Sequence, residues 1–141
     1  MLKKNTTIVS MLACMAFFVT NAWGLDLQDG EYKITSKVEI PGMPMQMAPV
    51  TVTQCLTKQD PVPNQSTASQ QCNIINMKTE GKTVTWKMEC TQQGQKMQGS
   101  GKMAYYGDRF EGTINTKMGP QSGNMTITTV VNGKRIGACR R

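Results

Sequence analysis

Residues 72–90, CNIINMKTEGKTVTWKMEC, predict a β-hairpin closed by its own two cysteines and thereby indicate the fold class. Two strands flank Glu80-Gly81-Lys82, a three-residue loop in which the glycine can take the left-handed conformation. This register places Cys72 opposite Cys90. A two-residue loop would shift the register by one residue and separate the cysteines. We therefore expect a disulfide between Cys72 and Cys90.

On both sides of this hairpin, apolar and polar residues alternate with a period of two, which is typical of strands with one buried face. The pattern is clearest in residues 31–40, where Tyr32, Ile34 and Val38 alternate with charged and hydroxyl side chains. No segment after the N-terminus has a convincing helical period. The other predicted strands are residues 50–57, 97–106, 109–118, 124–131 and 134–139.

Turn-forming residues separate these strands. Pro61 and Pro63 interrupt a polar loop at residues 58–71, and Asn132-Gly133 is the strongest short hairpin signal in the chain. About seven or eight short antiparallel strands predict an all-β domain in which the chain runs up and down as a meander. We expect a barrel-like or half-open curled sheet, with a β-sandwich as the alternative.

The N-terminus has the three parts of a secretory signal peptide. Lys3 and Lys4 precede an apolar run at residues 8–19, and small residues follow at Ala22 and Gly24. The run is shorter than the ~20 residues that a transmembrane helix needs. The protein is therefore not expected to span a membrane.

Cleavage after Gly24 is favoured over cleavage after Ala22, so that residues 1–24 are the signal peptide and residues 25–141 form a single β-domain. A lipoprotein site at Cys14 is disfavoured, because the apolar run continues beyond that cysteine. The sequence therefore predicts an exported, periplasmic protein.

Loss of Lys3 and Lys4 with the signal peptide lowers the net charge from +7 to +5, and four cysteines remain. An even number of cysteines in a short exported chain is typical of disulfides. Four cysteines allow three pairings, and the hairpin register selects one of them. The second disulfide then joins Cys55 to Cys139.

Six short motifs are spread over the mature chain: GEYKITSK at 30–37, PGMP at 41–44, TQCLT at 53–57, TVTWKMEC at 83–90, YGDRFEG at 106–112 and NGKRIGAC at 132–139. As a set they resemble the bacterial domain-of-unknown-function family three-six-one-seven. The resemblance implies a protein of Gram-negative bacteria that carries a signal peptide, with no assigned reaction or ligand. One departure from the family pattern is the extension of PGMP by Met-Gln-Met.

The methionines of this segment are the sharpest chemical feature of the sequence. Met43, Met45 and Met47 occupy alternate positions, so an extended segment would place three thioethers on one side. Thioethers are soft ligands that suit Cu(I) or Ag(I). The alternative is that methionine, which is frequent throughout this chain, serves as flexible apolar filler over an open end of the barrel.

Residues for catalysis are hard to find. The chain has no histidine, which removes the commonest general base and the usual ligand of zinc or copper(II). Asp108 and Glu111 are a carboxylate pair, but a turn and a strand exterior are their expected places. No glycine loop is followed by the helix that a phosphate site of that kind requires. The sequence therefore predicts no catalytic residues, no resident cofactor and no enzyme activity.

The basic residues are scattered over polar strand faces, and Tyr105 and Tyr106 are the only adjacent aromatics after the predicted signal peptide, so a nucleic-acid partner is not expected. Gly99, Gly101 and Gly112 either leave room for an apolar ligand inside a barrel or permit strand curvature. The expected function is a non-enzymatic binding or envelope-maintenance role toward a small ligand or envelope component. The specific alternatives are Cu(I) or Ag(I) binding and the carriage of a small apolar ligand.

Overall fold

The computed structural model describes residues 24–44 and 47–140. The predicted signal peptide, apart from Gly24, and Met45 lie outside the described residues. None of the helical segments in the described ranges has the length and apolar character that a membrane crossing requires.

Seven antiparallel strands form one curled sheet, a half-barrel, which confirms the predicted all-β meander. The strand order is β2-β1-β7-β6-β5-β4-β3, so that the two edges of the sheet, β2 and β3, are consecutive in the chain. One turn of 3-10 helix, Pro120–Ser122, lies between β6 and β7. The strands are β1 Gly30–Glu39, β2 Val50–Leu56, β3 Gln70–Glu80, β4 Thr83–Gln92, β5 Gln95–Tyr105, β6 Arg109–Lys117 and β7 Thr126–Gly137.

The β3–β4 hairpin has the predicted cysteine register but a different turn. Gly81-Lys82 is a two-residue turn, not the three-residue loop expected from the sequence. Cys72 still lies opposite Cys90, because a β-bulge at Ile75 inserts one extra residue into β3 between the turn and the cysteines. The bulge thus restores the register that the shorter turn would have shifted.

The hairpin predicted at Asn132-Gly133 is wrong, because β7 runs through both residues without a turn. Asn132 pairs with Thr35 of β1 on one side and with Glu111 of β6 on the other. A glycine is required at residue 133, since a Cβ atom there would overlap the ring of Phe110. The glycine therefore serves packing inside a central strand.

Packing of a large side chain over a glycine of the neighbouring strand recurs across the inner face of the half-barrel. Trp86 covers Gly101, and a Cβ on that glycine would overlap the indole ring. The space above the glycines is thus filled by the core itself, and a ligand site must be sought elsewhere. The other pairs are Met88 with Gly99, Met103 with Gly112 and Phe110 with Gly133.

One end of the half-barrel is covered by the segment before β1. Leu25 and Leu27 are buried in the core, and Leu27 forms a parallel bridge with Gly107. The hydroxyl of Tyr32 donates to the carbonyls of Gln28 and Gly107, at 2.6 and 3.1 Å. Desolvation by burial raises the pKa of Tyr32.

Both predicted disulfides are present. Cys72–Cys90 joins β3 to β4, and Cys55–Cys139 joins β2 to the segment after β7. The second bridge crosses β1, since Glu31 of β1 pairs with Cys55 on one side and with Gly137 on the other. It therefore fastens the edge strand β2 to the sheet beyond its own ladder.

Candidate binding cleft between the edge strands

The two edge strands do not pair with each other, and the loop of residues 57–69 spans the gap between them. On the β2 side, the side-chain amide of Gln54 accepts from the backbone N–H of Asn64 and donates to its carbonyl, at 2.9 and 3.2 Å. On the β3 side, the hydroxyl of Ser66 accepts from the backbone N–H of Cys72 at 3.0 Å. Hydrogen bonds from side chains thus attach this loop to both edge strands, in place of the backbone pairing that would close the sheet.

A third contact holds this loop down onto the core. The hydroxyl of Tyr105, at the end of β5, donates to the carbonyl of Pro61 at 2.6 Å. Val62, the next residue, is buried with 5% of its surface exposed. Burial raises the pKa of Tyr105 well above its usual value, so the hydroxyl remains a donor at neutral pH.

Between this loop and the inner face of the sheet lies a cleft of about 310 Å³, called here the edge cleft. Its volume falls at the lower end of the range for small-molecule sites, ~300–1,000 Å³. Its polar rim includes Gln54, Asp60, Asn64, Gln65 and Asn73. Its apolar wall is formed by Leu56, Val62, Pro63, Ile74, Trp86 and Met88.

Apolar side chains at the middle of the inner face are buried, whereas two of those on the edge strands are exposed. Ile34 and Val131, in the middle of the sheet, are each 1% exposed. Val52 of β2 lies opposite Ile34, and Ile74 of β3 lies opposite Met88, so the register places both on the inner face. Yet Val52 is 43% and Ile74 is 45% exposed. The sheet therefore presents inward-facing apolar surface along the gap that no described residue covers.

Trp86 forms part of the cleft wall and carries an unsatisfied donor. Its side chain is 3% exposed, and its Nε1 is buried without a hydrogen-bond partner among the described residues. A buried N–H group without an acceptor costs about 1–3 kcal/mol. An acceptor within reach of this Nε1 would remove that cost.

The methionines predicted as metal ligands lie in the connection between β1 and β2. Met43 is 60% and Met47 is 55% exposed, and Met45 lies outside the described residues. The two described thioethers are thus accessible to solvent and are not packed against the core. Within the described ranges, no group of three or more His, Cys, Asp or Glu side chains could hold a metal ion.

Asp108 and Glu111, the carboxylates considered as an acid and base pair, lie at the positions expected from the sequence. Asp108 lies in the turn before β6, and Glu111 is on the exposed face of that strand. Neither is buried.

Sequence reasoning missed the edge cleft entirely. Gln54, Asn64, Ile74 and Trp86 are ordinary residues of strands and loops in the sequence, and only the strand order brings them together. One feature of the sequence could have indicated exposed apolar surface near this strand. Ile74 and Ile75 are adjacent, and two adjacent residues of a regular strand cannot both face the core.

A family model described as "Protein of unknown function (DUF3617)" matches residues 27–139, and the chain belongs to this family. The resemblance inferred from the six motifs is thereby confirmed. No curated protein and no solved structure matches the chain.

Proposed function

We propose that this member of the DUF3617 family is an exported, non-catalytic binding protein that takes a small apolar or amphipathic ligand into the edge cleft. The observation that carries the proposal is the exposure of Val52 and Ile74 on the inner face of the sheet, beside a cleft walled by Trp86 and Met88. Apolar surface of this kind is ordinarily covered, and concave apolar sites with a few polar groups are typical ligand sites.

Export to the periplasm is supported by two independent features. The N-terminal residues have the composition of a signal peptide. The chain also carries two disulfides, which persist in oxidising compartments and are rare in the cytosol.

The lining of the cleft restricts the chemistry of the ligand. Leu56, Val62 and Met88 favour an aliphatic or aromatic body. Gln54 and Asn73 at the rim supply hydrogen bonds to a polar end. A volume of about 310 Å³ accommodates one short acyl chain or a small ring system, and excludes a whole phospholipid.

Trp86 provides a direct readout of binding. The chain has two tryptophans, and Trp23 is removed with the signal peptide if cleavage follows Gly24. In protein that begins at Leu25, Trp86 is therefore the one tryptophan donor for energy transfer to the uncharged apolar probe N-phenyl-1-naphthylamine, and the variants below locate the bound probe. A Trp23→Phe variant serves the same purpose if cleavage follows Ala22.

The matched variants are Ile74→Ser, in the cleft, and Ile136→Ser, on the opposite face of the sheet. Both isoleucines are largely exposed, at 45% and 54%, so neither substitution should disturb the core. We expect Ile74→Ser to weaken probe binding about tenfold and Ile136→Ser to leave it unchanged. Saturable transfer with this pattern supports the proposal. Absence of transfer, or equal loss in both variants, overturns it.

A second candidate function is Cu(I) or Ag(I) binding through Met43, Met45 and Met47. The observation in its favour is the exposure of Met43 and Met47, since a packing role would bury these side chains. Titration with Ag(I), followed through the methionine methyl resonances, tests it against the triple Met→Leu variant. Saturable shifts confined to these three methyls and lost in the variant support the site. Shifts spread over the exposed methionines elsewhere, or no shifts, rule it out.

A further inference from the structure

The outer face of the sheet carries a second concave site, opposite the core. It is a groove of about 430 Å³ across β3, β4, β5 and β6, called here the basic groove. None of the described residues that line it is acidic. Its polar lining includes Lys78, Lys87, Lys102, Thr85, Ser100 and Asn115.

Strand register explains why these side chains meet. Lys78 of β3, Thr85 of β4 and Lys102 of β5 are directly opposite one another in one row. In the next row, Lys87 of β4 lies opposite Ser100 of β5. Neighbouring strands are about 4.8 Å apart, so the backbones of Lys78 and Lys102 are separated by about 10 Å. Thr85, which lies between these two lysines, has a short side chain, and this creates the depression of the groove. The long, flexible lysine side chains can extend over that depression.

Most of the charge in the groove is uncompensated. Lys78 forms an ion pair with Glu80 at 2.7 Å. Lys87 and Lys102 form no ion pair with any described residue. Lys87 and Lys102 are diagonal neighbours on this face, so the positive potentials of their two ammonium groups add. The arrangement thus favours a bound anion.

Several uncharged polar groups of the groove can donate as well, although Met77, Trp86 and Gly101 also line it. Thr85 and Ser100 present hydroxyls. Asn115 accepts a hydrogen bond at its Oδ1 from the hydroxyl of Thr128, at 2.8 Å, so its amide N–H groups remain available as donors. Lysine ammonium groups with hydroxyl and amide donors around them form the donor set that binds phosphate oxygens.

We propose that the basic groove binds a ligand carrying one or two phosphate groups, with Lys87 and Lys102 as the principal contacts. This site differs from the edge cleft, because its lysines lie on the opposite face of the sheet, although Trp86 lines both. Phosphate of this kind has two sources outside the cytoplasm, a soluble phosphorylated compound or the headgroups of an anionic phospholipid surface. The same lysines would serve both.

The test uses the processed, disulfide-intact protein and two probes. Inorganic pyrophosphate is titrated while the backbone amide resonances of β4 and β5 are followed. Co-sedimentation is measured with vesicles of phosphatidylglycerol and phosphatidylcholine, and with vesicles of phosphatidylcholine alone. The variants are Lys87→Gln with Lys102→Gln, and the charge-matched control Lys33→Gln with Lys134→Gln, which removes two exposed lysines from the β1–β7 pair.

We expect the groove variant to weaken binding about tenfold or more, since each charge-assisted hydrogen bond contributes substantially, and the control to retain it. Amide shifts on addition of pyrophosphate that are weakened in the groove variant and retained in the control support the site and identify a soluble source of the phosphate. Binding with this pattern to phosphatidylglycerol vesicles only supports the site and identifies lipid headgroups. Equal loss in both double variants overturns the proposal, because net charge alone then explains binding. Absence of binding to both probes overturns it as well, and leaves the edge cleft untouched, since that is assayed with an uncharged probe.

Discussion

The hydroxyl of Tyr105 donates a 2.6 Å hydrogen bond to the carbonyl of Pro61, 44 residues earlier in the chain. It fastens the loop of residues 57–69, which spans the gap between β2 and β3, to the end of β5. The shape of the edge cleft therefore depends on one buried side chain that lies outside the cleft itself.

Replacing Tyr105 by Phe should lower the free energy of unfolding by about 1–2 kcal/mol at neutral pH, because the Pro61 carbonyl loses its buried donor. Urea unfolding followed by circular dichroism measures this loss. The control is Tyr106→Phe, since that neighbouring ring is 40% exposed, and it should change stability by less than ~0.5 kcal/mol. Equal effects of the two substitutions would show that the Tyr105 hydrogen bond contributes nothing to stability.

The protein should lose stability at alkaline pH through its buried tyrosines. Burial raises the pKa of Tyr105 and of Tyr32 in the folded state, whereas an unfolded tyrosine titrates near pH ~10. Above about pH 10 the unfolded chain releases protons that the folded chain retains, so the free energy of unfolding falls as pH rises. Below that pH these two groups add no slope. Unfolding measured from about pH 9 to about pH 11 should show a smaller slope in Tyr105→Phe than in the wild-type protein. The same slope in both proteins would mean that other groups cause the alkaline loss.

Two glycines of β7 should respond oppositely to alanine. A Cβ at Gly133 would overlap the Phe110 ring, whereas nothing lies within 4 Å of a Cβ at Gly137. We expect Gly133→Ala to cost about 1–3 kcal/mol through overpacking, and Gly137→Ala to be neutral or slightly stabilising. Thermal unfolding of both variants checks the difference. A neutral Gly133→Ala would mean that Phe110 moves aside and that the glycine is not required for packing.

Loss of the Cys55–Cys139 disulfide should act on one edge of the sheet. Its sequence separation is 84, and chain entropy alone predicts a loss of about 4.6 kcal/mol in the double Cys→Ala variant. Hydrogen exchange should quicken most in β2, which is the edge strand that this bridge holds. Removal of Cys72–Cys90 should instead quicken exchange in β3. Equal protection of β2 in the two variants would contradict a local role for the first bridge.

The hairpin at residues 72–90 shows how much the alternating pattern predicts and where it fails. The apolar alternation and the two cysteines indicate a hairpin and its disulfide correctly. The turn is one residue shorter than predicted, and the bulge at Ile75 adds one residue to β3, so the two changes cancel in the register. The sequence pattern does not distinguish this hairpin from a regular one with a three-residue loop. The turn predicted at Asn132-Gly133 is wrong, because the glycine there serves packing. The ring of Phe110, 23 residues earlier in sequence, occupies the space that a Cβ atom at residue 133 would need.

The candidate sites depend still more on tertiary structure. The lysines of the basic groove are scattered in the sequence, and they form a cluster only because β3, β4 and β5 pair with the register observed. The edge cleft exists because β7 returns to pair with β1, which leaves β2 and β3 as the open edges.

The all-β class and the positions of most strands follow from the amino-acid sequence, because alternation and turns are local properties of the chain. Both disulfide pairings were predicted correctly, but through a hairpin register that holds only because a bulge offsets the shorter turn. The strand order, the filling of the space above the glycines and the two concave sites are properties of the tertiary structure. These depend on contacts between residues far apart in sequence, such as Tyr105 with Pro61 and Trp86 with Gly101, and local chemistry alone does not specify which distant partners will meet.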